Sequence, residues 1–78
     1  MTVKELIEHL QWLDPNIHVF HRGYEGGLDD VVAINGPLDV ALNVNEEDEW
    51  WYGSHSLIKD VEDKSNYTIV KGIILWVK

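Results

Sequence analysis

Thr2-Val3-Lys4-Glu5-Leu6-Ile7-Glu8-His9-Leu10-Gln11-Trp12-Leu13-Asp14-Pro15 decides the fold class, because it is the stretch with clear helical periodicity. Leu6, Ile7, Leu10 and Leu13 recur at helical spacing, with Val3 one turn earlier, so they share one face. Thr2 and Glu5 have the spacing of a capping box. The hydroxyl can accept from the Glu5 amide while the carboxylate reaches back to the cap amide. Asp14-Pro15-Asn16 ends the element, since a residue before proline is biased away from helical angles. The spacing predicts a helix over residues 3–13, with Trp12 on its flank covering a core edge.

Beyond Pro15 the period changes from helical to two. Ile17, Val19 and His21 alternate with His18, Phe20 and Arg22, which reads as a strand over 17–22. Val31–Ile34 reads as a second strand, closed by Asn35-Gly36-Pro37, because Asn-Gly is a strong hairpin signal. Leu38–Val44 alternates as a third, with Leu38, Val40, Leu42 and Val44 inward and Asp39 and Asn43 outward. Trp50-Trp51-Tyr52 reads as a short aromatic strand or an aromatic loop, and 57–66 as irregular chain or a brief helical turn. Tyr67–Val77 is the last strand, with Gly72 as a bulge or a point of close approach. Its run Ile73-Ile74-Leu75-Trp76-Val77 predicts burial on both faces and a central place in the sheet. The sum is a single α+β domain over 1–78: one N-terminal helix packed on an antiparallel sheet of about four strands.

Composition bounds the function. Fourteen acidic residues against six basic ones give a net charge of −8, which repels phosphate backbones and argues against nucleic acid. The same charge favours solubility and steers the chain towards basic partners; a plainly acidic soluble protein is the simpler account. The absence of cysteine fits a reducing cytoplasm. No apolar run approaches the roughly 20 residues of a membrane span, and the opening residues have no basic-then-apolar leader. A chain this short buries only about 60% of its unfolded surface, so a homodimer is a reasonable expectation.

Two surfaces could carry function. Glu46, Glu47, Asp48 and Glu49 lack the alternate spacing and glycine turn of a calcium loop. They read as a solvated loop or as an acidic patch docking on a basic protein, with Trp50, Trp51 and Tyr52 as aromatic anchors. The second surface is His21-Arg22-Gly23-Tyr24-Glu25-Gly26-Gly27-Leu28-Asp29-Asp30. Gly23, Gly26 and Gly27 mark a shaped loop. It reads as a hairpin connection or as a binding loop in which Arg22, Tyr24 and the glycine amides hold a small anion, with Glu25, Asp29 and Asp30 opposing one. It is neither a dinucleotide fingerprint nor a phosphate-binding P-loop.

Metal and catalytic chemistry find little footing. His18 and His21 would point to opposite faces of a strand, and His55 lies far along the chain. They read as structural or surface histidines, so no metal and no cofactor is expected. Ser54-His55-Ser56 lacks the strand–nucleophile–helix setting of a hydrolase, and no enzymatic activity is expected.

The opening Met1–Ile7, then Leu13-Asp14-Pro15, Arg22-Gly23-Tyr24-Glu25-Gly26-Gly27 with Asp29-Asp30, and Trp51-Tyr52-Gly53 together resemble a group of small uncharacterised proteins of phages, prophages and plasmids. The resemblance covers most of the chain and carries over no catalytic residue. It implies a mobile-element origin and action in the host cytoplasm by binding a host protein, such as a component of a defence system. A small-ligand binder, for instance a sponge for a nucleotide signal built on residues 22–27, and a structural or oligomerising domain are the rival expectations.

Overall fold

The computed structural model describes residues 1–78 and has the α+β class expected: one N-terminal helix and a four-stranded antiparallel sheet. Helix α1 spans Val3–Leu10, and the strands are β1 (Phe20–Arg22), β2 (Leu28–Ala41), β3 (Ser56–Leu57) and β4 (Ile69–Val77). The chain forms two compact units, Met1–Asp30 and Val31–Lys78.

In the first unit the capping box forms as its spacing requires. Glu5 N–H donates to Thr2 Oγ1 at 3.2 Å, and Glu5 Oε1 accepts from the Thr2 N–H at 3.3 Å and from its hydroxyl at 3.0 Å. These bonds hold the Glu5 carboxyl below its ordinary value of 4.5, the Thr2 hydroxyl contributing most. The helix is shorter than the expected 3–13. After Leu10 the chain tightens, with Leu13 N–H bonding the Leu10 carbonyl at 3.0 Å. Asp14 then accepts from the Asn16 N–H at 2.8 Å through its side chain and from the Ile17 N–H at 3.2 Å through its carbonyl. The Asp-Pro signal therefore acts one turn early, and Trp12 is left 84% exposed rather than covering a core edge. β1 is likewise confined to the last three residues of the expected 17–22, because only Phe20, His21 and Arg22 find partners, in Asp30, Asp29 and Leu28.

In the second unit the main departure is that the two middle strands are one. Asn35-Gly36-Pro37 does not turn. A two-residue hairpin of the type Asn-Gly favours needs positive φ at both central positions. Gly36 has it at 130°, but Asn35 does not. The register instead runs from Asn35 opposite Ile74 to Leu38 opposite Gly72, two residues of β2 facing one of β4. That is a β-bulge, which bends a strand without ending it. A second shift absorbs Val32, between Val31 opposite Val77 and Ala33 opposite Trp76. The close approach joins Gly36 to Gly72 at this bulge, and the steric demand for glycine falls on Gly36. A Cβ on Gly36 would meet the Gly72 carbonyl oxygen at 2.8 Å, whereas one on Gly72 would meet only Val40 at 3.4 Å.

An unbroken β2 pairs with every other strand, so β2 is central and β4 is not, contrary to the reading of its apolar run. Asp39 and Lys71, directly opposite, form an ion pair at 2.6 Å. Leu38 and Val40 are half-buried as expected, yet the fully buried residue is Ala41, on the other face with Asp39. β2 stops there because Asn43 takes a left-handed φ of 60°, so the expected strand residues Leu42–Val44 lie in turns. Between β3 and β4, two single turns of 3-10 helix occupy Ile58–Asp60 and Lys64–Asn66. Asp63 caps the second through Ser65 and Asn66.

Two predictions follow from these local constraints. Glu5 has a lowered pKa in the folded state, so its capping contribution is present above the ordinary carboxylate value and is lost as pH falls through the folded one. The melting-temperature advantage of the native chain over Glu5→Gln should be constant near neutrality and vanish in acid. Gly36→Ala should cost about 1–3 kcal/mol through positive φ and the Gly72 contact, while Gly53→Ala, with nothing within 4 Å, should fall within about 0.5 kcal/mol of the native chain. Urea titration of both variants measures the difference.

Candidate functional site

The segment from Leu42 to His55 leaves the sheet where β2 ends and returns where β3 begins. One side chain holds its base. Asn45 Nδ2 donates to Ser56 Oγ at 2.8 Å and to the Gly53 carbonyl at 3.0 Å, with a longer contact of 3.4 Å to the His55 carbonyl. The Asn45 N–H also donates to the Ser54 carbonyl at 3.0 Å. Two residues earlier, the Asn43 N–H donates to His55 Nδ1 at 2.8 Å. Nδ1 is therefore an acceptor, which places the ring proton of neutral His55 on Nε2. Both ends of the segment are thus tied together by Asn43, Asn45 and His55.

Everything between the ties faces water. Glu46, Glu47, Asp48 and Glu49 are all exposed, with the Asp48 N–H bonding back to the Asn45 carbonyl at 3.1 Å. Tyr52 N–H closes a turn on the Glu49 carbonyl at 2.9 Å, which carries the chain through Trp50 and Trp51. Trp50 is 88% exposed, Trp51 and Tyr52 about half exposed, and the last two rings meet edge-on at 6.4 Å. The aromatic triplet is a loop, not a strand, and neither tryptophan is core. The structure thus brings the seven residues Glu46–Tyr52 onto one outward loop.

Arg22 is the last residue of β1, opposite Leu28, and residues 23–27 form the hairpin connection to β2. Gly23 N–H donates to the Gly27 carbonyl at 3.1 Å, and Gly26 and Gly27 have φ of 134° and 66°. A Cβ on Gly23 would run into the Gly26 carbonyl. The turn accounts for all three glycines. Tyr24 projects from it, 78% exposed, and Glu25 is exposed beside it.

His18 and His21 have separate surroundings. His18 stacks on Phe20 with ring centroids 6.1 Å apart, and His21 Nδ1 lies 2.7 Å from the Arg22 carbonyl. No three histidine or carboxylate side chains converge in a metal-binding group. No helix is long and apolar enough to cross a membrane.

One concavity was not legible in the sequence. Ile7, Leu10, Leu13, Ile17, Val19 and Phe20 line an open apolar groove of about 740 Å³ in the first unit. The helical period marked Ile7, Leu10 and Leu13 as inward-facing. That period cannot show that 17–20 stands off from them and leaves space.

Comparison with protein-family models, curated proteins and solved structures gives no match.

Asn45→Ala should release the base of the loop. Loss of its bonds to Gly53 and Ser56 should cost about 1–2 kcal/mol and raise the mobility of Trp50 and Trp51. Faster tryptophan anisotropy decay in a chain that remains folded checks this; an unchanged decay would place the restraint elsewhere.

Proposed function

We propose that this chain is a non-enzymatic binding protein of the phage accessory type, which engages a basic surface on a host protein through Glu46–Tyr52. In that role it serves as an inhibitor of a host defence system. The observation that carries the reading is Trp50, left 88% exposed beside four exposed carboxylates on a loop tied down at both ends. A large exposed indole on a restrained backbone loses little entropy when a partner covers it, which is the character of an interface anchor. The carboxylates around it steer a basic partner and orient its approach. The glycine loop supports a ligand site less well, because its glycines are used by the turn that joins β1 to β2.

The expected result separates anchor from steering. Trp50→Ala should leave the melting temperature unchanged and weaken partner binding by on the order of 2 kcal/mol, mostly through faster dissociation. Joint neutralisation of Glu46, Glu47 and Glu49 to glutamine should mainly slow association and remove its salt dependence. The measurement is capture of a host protein from lysate by the native chain, followed by binding kinetics on the identified partner. A partner that binds both variants normally but is lost with Arg22→Ala or Tyr24→Ala would move the site to the glycine loop.

A further inference from the structure

β4 is an edge strand with the residue pattern of a central one. Opposite residues in an antiparallel pair share a face. Val70 and Ile74 therefore lie on the face of Leu38 and Val40, while Ile69 and Leu75 lie on the face of Ala41 and Ile34. Apolar side chains occupy both faces of β4, and most are more than a third exposed. A strand with one solvated face alternates apolar with polar; this one does not. Among the strands, β4 is the longest run with this pattern, and it hydrogen-bonds only to β2.

The Leu42 N–H donates to the Thr68 carbonyl at 2.9 Å, which sets the alternation along the strand that follows. The backbone polar groups of Val70, Gly72 and Ile74 face β2, and those of Ile69, Lys71, Ile73 and Leu75 point to the open edge. Protein edges are ordinarily blunted by charge, proline or a bulge. This one has neither proline nor carboxylate, and its single charge, Lys71, is already engaged by Asp39.

We propose that the occupant of this edge is a second copy of the chain. The two β4 strands pair antiparallel about a two-fold axis at Ile73 and join two sheets into one. Ile73 is the midpoint of Ile69–Val77, and its N–H and C=O point outward. This register sets Ile73 against Ile73, Lys71 against Leu75, Val70 against Trp76 and Ile69 against Val77. Apolar residues meet apolar residues at every opposed pair except Lys71–Leu75, where the lysine head is held by Asp39, and no like charges meet. A foreign strand with ordinary alternation would place polar side chains beside apolar ones on one face. Charge points the same way. Copies of a chain carrying −8 repel one another except where carboxylates are absent, and residues 64–78 contain no acidic side chain.

The chain has no cysteine, which makes the test direct. Native mass spectrometry and light scattering of the full chain should give twice its 9.0 kDa mass. Ile73→Cys should crosslink under mild oxidation, since the Cα atoms of a directly opposed hydrogen-bonded pair lie about 5.5 Å apart, within the range of a disulfide. Lys59→Cys, on an exposed 3-10 turn, should not. Ile73→Pro deletes an edge N–H without touching the β2 ladder and should shift the mass to monomer; if it unfolds, the crosslinking pair decides alone. A native chain that stays monomeric at tens of micromolar overturns the proposal. So does a dimer in which Ile73→Cys crosslinks no faster than Lys59→Cys, or open-ended assembly, because a two-fold pair consumes the edge.

Discussion

The contact on which the sheet depends is the approach of Gly36 to the Gly72 carbonyl. Any side chain at 36 would come within 2.8 Å of that oxygen, and φ there is 130°. Only glycine accepts both conditions without strain. Because position 36 accepts them, the chain passes through Asn35–Leu38 as a bulge and continues in the same strand. β2 then reaches fourteen residues, long enough to pair with β1 at one end and with β3 and β4 towards the other. Were the segment to turn as Asn-Gly pairs commonly do, Val31–Ile34 and Leu38–Ala41 would pair with each other, and β4 would lose its partner along half its length.

What could be read from sequence follows the range of the forces involved. The capping box needs only Thr2 and Glu5, three residues apart, and it forms as the spacing dictates. The helix face and the single-strand alternations are similarly local, which is why the α+β class was legible; the count of four strands agrees because two expected strands join as β2 while Ser56–Leu57 adds an unexpected one. The fate of Asn35-Gly36 was not, because it depends on a carbonyl more than thirty residues away. The available signal was a pair of glycines, 36 and 72, each interrupting an apolar strand pattern; two such interruptions suggest one close contact between them. Trp12 was misplaced for a different reason. The Asp14 turn took three residues from the helix, so Trp12 stands beyond its last turn instead of on its flank, 84% exposed.

The candidate loop was legible in part. Composition marked Glu46–Tyr52 as charged and aromatic, and the structure exposes all seven residues. The ties were invisible, since Asn43 and Asn45 find their acceptors at residues 53–56 across the loop. An asparagine beside an acidic run looks like one more solvated polar group. Its role appears only when the strand ends that flank the loop are brought together by β2 and β3.

Charge divides the second unit into two stretches of different character. The carboxylates cluster at 46–49 and 60–63, whereas the stretch that forms β4 holds only lysine, and its one strand charge is neutralised across the ladder by Asp39. Like charge repels a second copy from the acidic loop, and the partner proposed for that surface is one of opposite sign. At the β4 edge the stretch 64–78 has no acidic side chain, so the proposed self-association and the proposed partner binding would use different residues. Two copies joined at β4 would each retain a free loop. A partner with two basic sites, or itself a symmetric dimer, would then gain from the second contact through raised effective concentration, without any change in the loop.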